Sequence, residues 1–165
     1  CIISDRIFSQ ISGDDSQYAT FSNGYTYSGH PVSSAAALKN IEVIENEGLL
    51  EHVREISPYF QQRIKELRKL PLVKHTRGVG LVGCVECQIV DSENHDTLEM
   101  DIEIGGRIDK NCQELGLIVR PLWNMCVFSP PLVITMEQID EMFNILEKGI
   151  IITTDELNKE GLWEG

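Results

Sequence analysis

Surplus positive charge is missing from this 165-residue chain: 14 Lys and Arg stand against 26 Asp and Glu, for a net charge of −12. That balance disfavours nucleic acid or an anionic membrane as the main partner, because both carry negative charge. No apolar run approaches the ~20 residues of a membrane span. No basic segment precedes a long apolar stretch, so no signal peptide is legible, and a cytoplasmic setting is expected. A disulfide framework is lacking too. Cys1, Cys84, Cys87, Cys112 and Cys126 are odd in number and irregularly spaced, which favours reduced thiols. Cys84 and Cys87 form a CxxC, but inside the strand-like run Leu81–Val90. A redox pair needs its first thiol at a helix start, so two packing cysteines are expected. His30, His52, His75 and His95 show no metal-ligand spacing, and no metal site is predicted. An initiating Met is absent as well, and the opening Cys1-Ile2-Ile3 reads as a cut through a longer chain.

What is present is a globular composition. Hydrophobic residues make up 42%, enough for a core without disulfide or metal staples. Residues 1–30 read as loop and short strand. A helix is predicted from Pro31 to about Glu45, since Pro suits the first helical position. Gly48 breaks it. A second helix, about Leu49–Leu70, carries the apolar stripe Leu50, Val53, Ile56, Phe60, Ile64 and Leu67 and runs through Pro58. Leu72–Thr76 and Leu81–Val90 read as strands around the turn Arg77–Gly80. Asp91 to Glu103 holds six acids and no Lys or Arg, which suggests a solvated loop leading into a helix at about Ile102–Leu115. Gly116 is a stop signal for that helix. Leu117–Arg120 and Met125–Phe128 read as a hairpin. Thr135 with Gln138 forms a capping box for a helix whose stripe is Ile139, Met142, Phe143, Leu146 and Ile150. The last ten or so residues read as a surface tail. Helices alternating with a few strands make a mixed α/β layer structure.

Two stretches could carry chemistry. Gly24 to Pro31 (GYTYSGHP) gathers hydroxyls and glycines ahead of a helix start, a setting that favours phosphate through backbone donors and the helix dipole. A plain turn and helix cap is the other reading, and the residues alone favour it. Arg120 closes the apolar run Leu117-Ile118-Val119, where a guanidinium suits bidentate capture of a carboxylate. A surface arginine with a packed stem is the other reading.

GYTYSGHP before an Ala-rich helix, then Arg77-Gly78-Val79-Gly80-Leu81, Gly116-Leu117-Ile118-Val119-Arg120 and Ser129-Pro130-Pro131-Leu132, together resemble the C-terminal part of a class III aminotransferase. The likeness spans about Cys1 to Ile150 and is greatest to the ω-amino acid–pyruvate branch of these pyridoxal-phosphate enzymes. It implies the C-terminal small domain of the fold-type I transferase fold with a stub of the large domain. Residues 1–30 would end the cofactor domain, 31–150 would be the small domain with its linking helices, and 151–165 a tail. It implies a homodimer that takes a small-molecule amino donor and a keto acid such as pyruvate. It implies that Thr26 donates to the phosphate of pyridoxal 5'-phosphate bound in the other subunit, with Tyr25 nearby. Arg120, ten residues before Pro130, would be the mobile arginine that holds the keto-acid carboxylate. In ornithine- and GABA-type relatives the arginine stands where Val127 does here, which makes those branches less expected. Arg120-Pro121 with Asn124 also resembles diaminopelargonate synthases, which rank second because their phosphate block differs. The Schiff-base lysine is expected upstream of Cys1, so no catalytic residue is assigned in this chain and these residues alone should not transaminate. A non-catalytic partner protein reusing the small domain is the rival from another class.

Overall fold

The computed structural model describes residues 3–11, 26–89 and 97–163. The chain falls into two units, 1–42 and 43–165. In the first, Asp5–Ile11 is a short helix, α1, where loop and strand were expected; Ser4 starts it by accepting from the Ile7 and Phe8 amides. Helix α2 covers Pro31–Asn46, within one residue of the predicted end, and reaches the second unit.

Helix α3, Leu49–Glu66, passes through Pro58 and tightens into a 3-10 turn at Leu67–Lys69. Its predicted stripe buries Ile56, Phe60, Ile64 and Leu67, but Leu50 is 53% exposed. Strands β1, Val73–Val79, and β2, Val82–Cys87, form the expected hairpin, with the first strand longer and the second shorter than the sequence suggested. Arg77, Gly78 and Val79 belong to the strand. The turn shrinks to Gly80-Leu81, with φ of 58° at Gly80, because a two-residue hairpin needs positive φ at its first turn position.

Helix α4, Thr97–Glu114, begins five residues before Ile102. Acidic side chains near a helix start favour the dipole, so the latter part of the acidic run forms the first turns rather than a loop. Residues 90–96 lie outside the described set. Gly116, at φ 96°, ends α4: the Leu117 amide reaches back to the Cys112 carbonyl and the Gly116 amide to Gln113, a Schellman closure. Strand β3 is Arg120–Leu122 and β4 is Met125–Phe128. The first therefore starts at Arg120, where the predicted strand ended. Pro121 sits inside it, which the sheet edge permits because no donor is required on the outer side. The capping box at Thr135 is formed, and α5 runs from Met136 to Lys159, past Ile150, with Thr153 and Leu157 buried. The stretch expected to be a tail is thus helical over its first half.

The sheet order is β1-β2-β4-β3, every pairing antiparallel. Alternation sorts its residues into two faces. Val85, Cys126 and Phe128 turn toward the helices and are buried. Close approach is built in with glycine. A Cβ at Gly83 would lie 1.9 Å from Ile64 Cδ1, one at Gly105 would lie 1.7 Å from the Trp123 carbonyl oxygen, and one at Gly149 would lie 2.6 Å from Cys112 Sγ. Polar links tie the helices together. Arg63 bridges to Asp140 at 2.9 Å and donates to Asn144 at 2.8 Å. Arg107 joins Glu103 and Glu160, and Asn111 donates to Thr153 at 3.0 Å.

The neighbours Gly105 and Gly106 in α4 give a prediction of opposite signs. Nothing lies within 4 Å of a Cβ at Gly106, so Gly106→Ala gains about 1 kcal/mol of helix propensity. Gly105→Ala meets backbone and loses on the order of 1–3 kcal/mol. Urea unfolding of the two variants checks the pair; equal signs would refute the packing account.

Candidate functional site

The open face of the sheet carries two rows across all four strands. Arg77, Cys84, Val127 and Arg120 align in one, and His75, Glu86, Met125 and Leu122 in the next. The rows follow from strand register: once Val79 pairs with Val82 at the turn, each second residue returns to the same face. Arg77 is committed within this face. Its guanidinium holds Glu86 at 2.6 Å and lies 3.1 Å from Met125 Sδ. Arg120, at the opposite edge, is exposed and forms no ion pair with another described residue. So of the two arginines on the face, one is neutralised and the other is open to an anion. Glu86 is the counter-charge of Arg77.

The Arg120 position is held from both sides. Val119 before it is buried. After Leu122 the chain turns at Trp123-Asn124. Asn124 is only 5% exposed, and its Nδ2 donates to Asp101 Oδ1 of α4 at 3.0 Å. Burial and the nearby Glu86 push the Asp101 carboxyl up from the ordinary carboxylate range. The Asn124 carbonyl accepts from the Cys87 amide at 3.0 Å. An apolar cavity of about 520 Å³ flanks this turn, lined by Ile102, Gly106, Pro121, Leu122, Trp123 and Met125. Sequence reasoning named Asn124 only through a family likeness and missed its contact with Asp101, since nothing in a sequence pairs residues 23 apart.

The thiols behave as packing groups. Cys84, Cys87, Cys112 and Cys126 are free and buried. Burial pushes Cys112 up to about 11 and Cys126 up to about 12, with Cys87 also well above its usual range. Nucleophilic thiolate is therefore scarce at neutral pH. His52 is half-buried, and its Nε2 donates to the Ile134 carbonyl at 2.9 Å.

Thr26 belongs to the first unit and Arg120 to the second. Thr26 is exposed at the head of a turn, residues 26–29, that leads through His30 into α2. His30 caps the helix: its Nδ1 accepts from the Ser33 amide at 3.4 Å and its carbonyl from the Ser34 amide at 2.9 Å. Thr26 forms no hydrogen bond with another described residue, so an exposed hydroxyl before a helix start is available, a donor type that fits a phosphate. Tyr25 lies outside the described residues. Lys39 is exposed and paired with Glu42 at 2.8 Å, and Lys74 is an exposed residue of β1, so neither stands as a buried cofactor lysine.

The described residues thus form a mixed α/β structure with a small antiparallel sheet backed by helices. The Aminotransferase class-III model matches residues 7–150. The chain belongs to that family. It is 37% identical over 163 residues to an uncharacterised aminotransferase, y4uB, of Sinorhizobium fredii, covering 97% of this chain and 35% of that protein. It is 40% identical over 133 residues to putrescine–pyruvate aminotransferase of Pseudomonas aeruginosa, covering 80% of this chain and 29% of that one. Among solved structures, a PLP-bound aminotransferase mutant from Vibrio fluvialis superposes with a TM-score of 0.71 at 39% identity, covering 82% of this chain and 30% of that one. The chain spans about a third of the length of the curated relatives it matches. No described helix is long and apolar enough to cross a membrane.

Proposed function

We propose that these residues are the C-terminal portion of a transaminase that moves an amino group from an amine or ω-amino acid to a keto acid such as pyruvate, acting as a homodimer in the cytoplasm. Residues 1–30 end its cofactor domain and 31–150 form its small domain. The observation that carries the reading is Arg120: an exposed guanidinium without a counter-charge among the described residues, on the open face of a sheet, in a chain of net charge −12. Such a cation is suited to a small carboxylate. Bound pyridoxal 5'-phosphate supplies the electron sink for amino-group transfer. Thr26, with Tyr25 nearby, holds its phosphate by a hydroxyl donor across the dimer, and Arg120 orients the keto acid through two parallel N–H···O bonds. Of the two readings within the family, the pyruvate branch is favoured over the diaminopelargonate-synthase type, because the block Tyr27-Ser28-Gly29-His30-Pro31 resembles the former.

The test is amino transfer from putrescine to pyruvate by the complete enzyme, followed as alanine formed. Thr26→Ala should weaken pyridoxal-phosphate binding by about tenfold or more, the worth of one hydrogen bond to a charged group, measured by cofactor titration of the apo-enzyme. Unchanged affinity would remove Thr26 from the phosphate site.

A further inference from the structure

The two-residue turn between β3 and β4 needs a positive φ at its first position, which here is a tryptophan rather than a glycine. Trp123 has φ of 57°, the only positive φ at a non-glycine among the described residues. A tryptophan there is strained, and such a conformation persists only where its surroundings fix it. Three contacts within a short reach of α4 and β2 do so. The Trp123 carbonyl sits in the space left by Gly105, where a Cβ would come within 1.7 Å. The Asn124 side chain donates to Asp101 at 3.0 Å. The Asn124 carbonyl takes the Cys87 amide at 3.0 Å. Strand β3 itself is weak. It has three residues, lies at the sheet edge, and includes Pro121, which has no amide to donate. Arg120 pairs with Val127 at the end of this ladder farthest from the turn.

We infer that Asn124 and Asp101 are positioning residues: their hydrogen bond locks the strained turn onto α4 and thereby fixes where β3 presents Arg120 to a substrate carboxylate. The inference rests on the carboxylate reading of Arg120. A short edge strand with one proline cannot hold a solvent-exposed guanidinium in a bidentate geometry by ladder bonds alone. The turn clamp and buried Val119 bracket it, and the clamp is the end that a side chain controls.

The experiment uses the complete enzyme with Asn124→Ala, the reversed pair Asn124→Asp with Asp101→Asn, and Arg120→Ala as reference. Asn124→Ala should raise KM for pyruvate about tenfold or more, the loss of one charge-assisted bond, with kcat and the amine KM within about twofold. Hydrogen exchange over residues 118–128 should speed up about tenfold, with other segments unchanged. The reversed pair keeps a carboxylate–amide bond with the roles exchanged and should return both readouts to within about threefold of the parent. If Arg120→Ala raises KM for pyruvate while Asn124→Ala changes neither KM nor exchange, the clamp is wrong and the carboxylate reading stands. If Arg120→Ala also leaves KM unchanged, the carboxylate reading fails and the clamp inference fails with it. Should Asn124→Ala not fold, the reversed pair decides: parental KM and exchange support the clamp, and raised values overturn it.

Discussion

Replacing Arg120 by Ala in the complete enzyme lowers kcat/KM for pyruvate by roughly 30- to 1000-fold, and leaves that for an amine without a carboxylate within about threefold. The figure corresponds to about 2–4 kcal/mol for losing a charge-assisted bidentate pair. Two effects contribute, and a second variant separates them. A protein of net charge −12 repels an anion as a whole, but exposed charges more than about 8 Å apart are largely screened at physiological salt, so the general field supplies little. Arg120→Lys keeps the local charge and gives up the planar fork; it should recover part of the loss and remain about tenfold below the parent. Steady-state kinetics with pyruvate and putrescine varied in turn measure both. Pyruvate kinetics that stay within about twofold of the parent in Arg120→Ala would end the carboxylate assignment.

Register adds something that residue spacing could not. The place that holds arginine in the other branches by resemblance, Val127 here, is the direct cross-strand partner of Arg120. Directly opposed side chains start about 5 Å apart. On this fold the two positions, seven apart in sequence, are adjacent on one open face. On the proposed reading of Arg120, a difference that looks like a relocated site in the sequence would be a step across one strand pair.

The sequence was legible where one element explains itself. The capping box at Thr135, the stop at Gly116 and the stripe through Phe60 and Ile64 are local signals, and each is realised. It was misleading where charge was taken for solvation: Glu99 and Asp101 are helical, because acids suit the start of α4. It also misplaced the first arm of the second hairpin, which was expected to end at Arg120 and instead starts there, with Pro121 on an edge that needs no outward donor. The candidate site divides the same way. Arg120 and Thr26 could be named from motifs. That Arg77 is neutralised by Glu86 and Arg120 is not, and that Asn124 is tied to Asp101, depends on pairings between segments, which only the folded arrangement sets.

Phe143→Ala should cost about 3–5 kcal/mol of stability, the upper range for deleting a buried ring. Phe143 is fully buried on α5, with its ring centroid 5.3 Å from Phe60 of α3 and 5.7 Å from Phe128 of β4. Both pairs are tilted, near the edge-to-face geometry that adds to simple burial. One side chain thus joins two helices and the sheet, and three elements would have to move together to close the void. That cooperative demand places the expected value at the high end, since cost rises with the cavity that remains. Substituting the exposed Leu50 on α3 should stay within about 0.5 kcal/mol, which controls for simple loss of apolar area. Urea unfolding reads both: the Phe143→Ala midpoint falls with the slope m unchanged. A loss under about 1 kcal/mol would mean that the site collapses freely and that the three rings are not its keystone. The effect should extend to the open face, because Phe128 ends the strand whose Val127 pairs with Arg120. A loosened β4 would raise KM for the keto acid before the domain unfolds, so the site should fail before the core as denaturant increases.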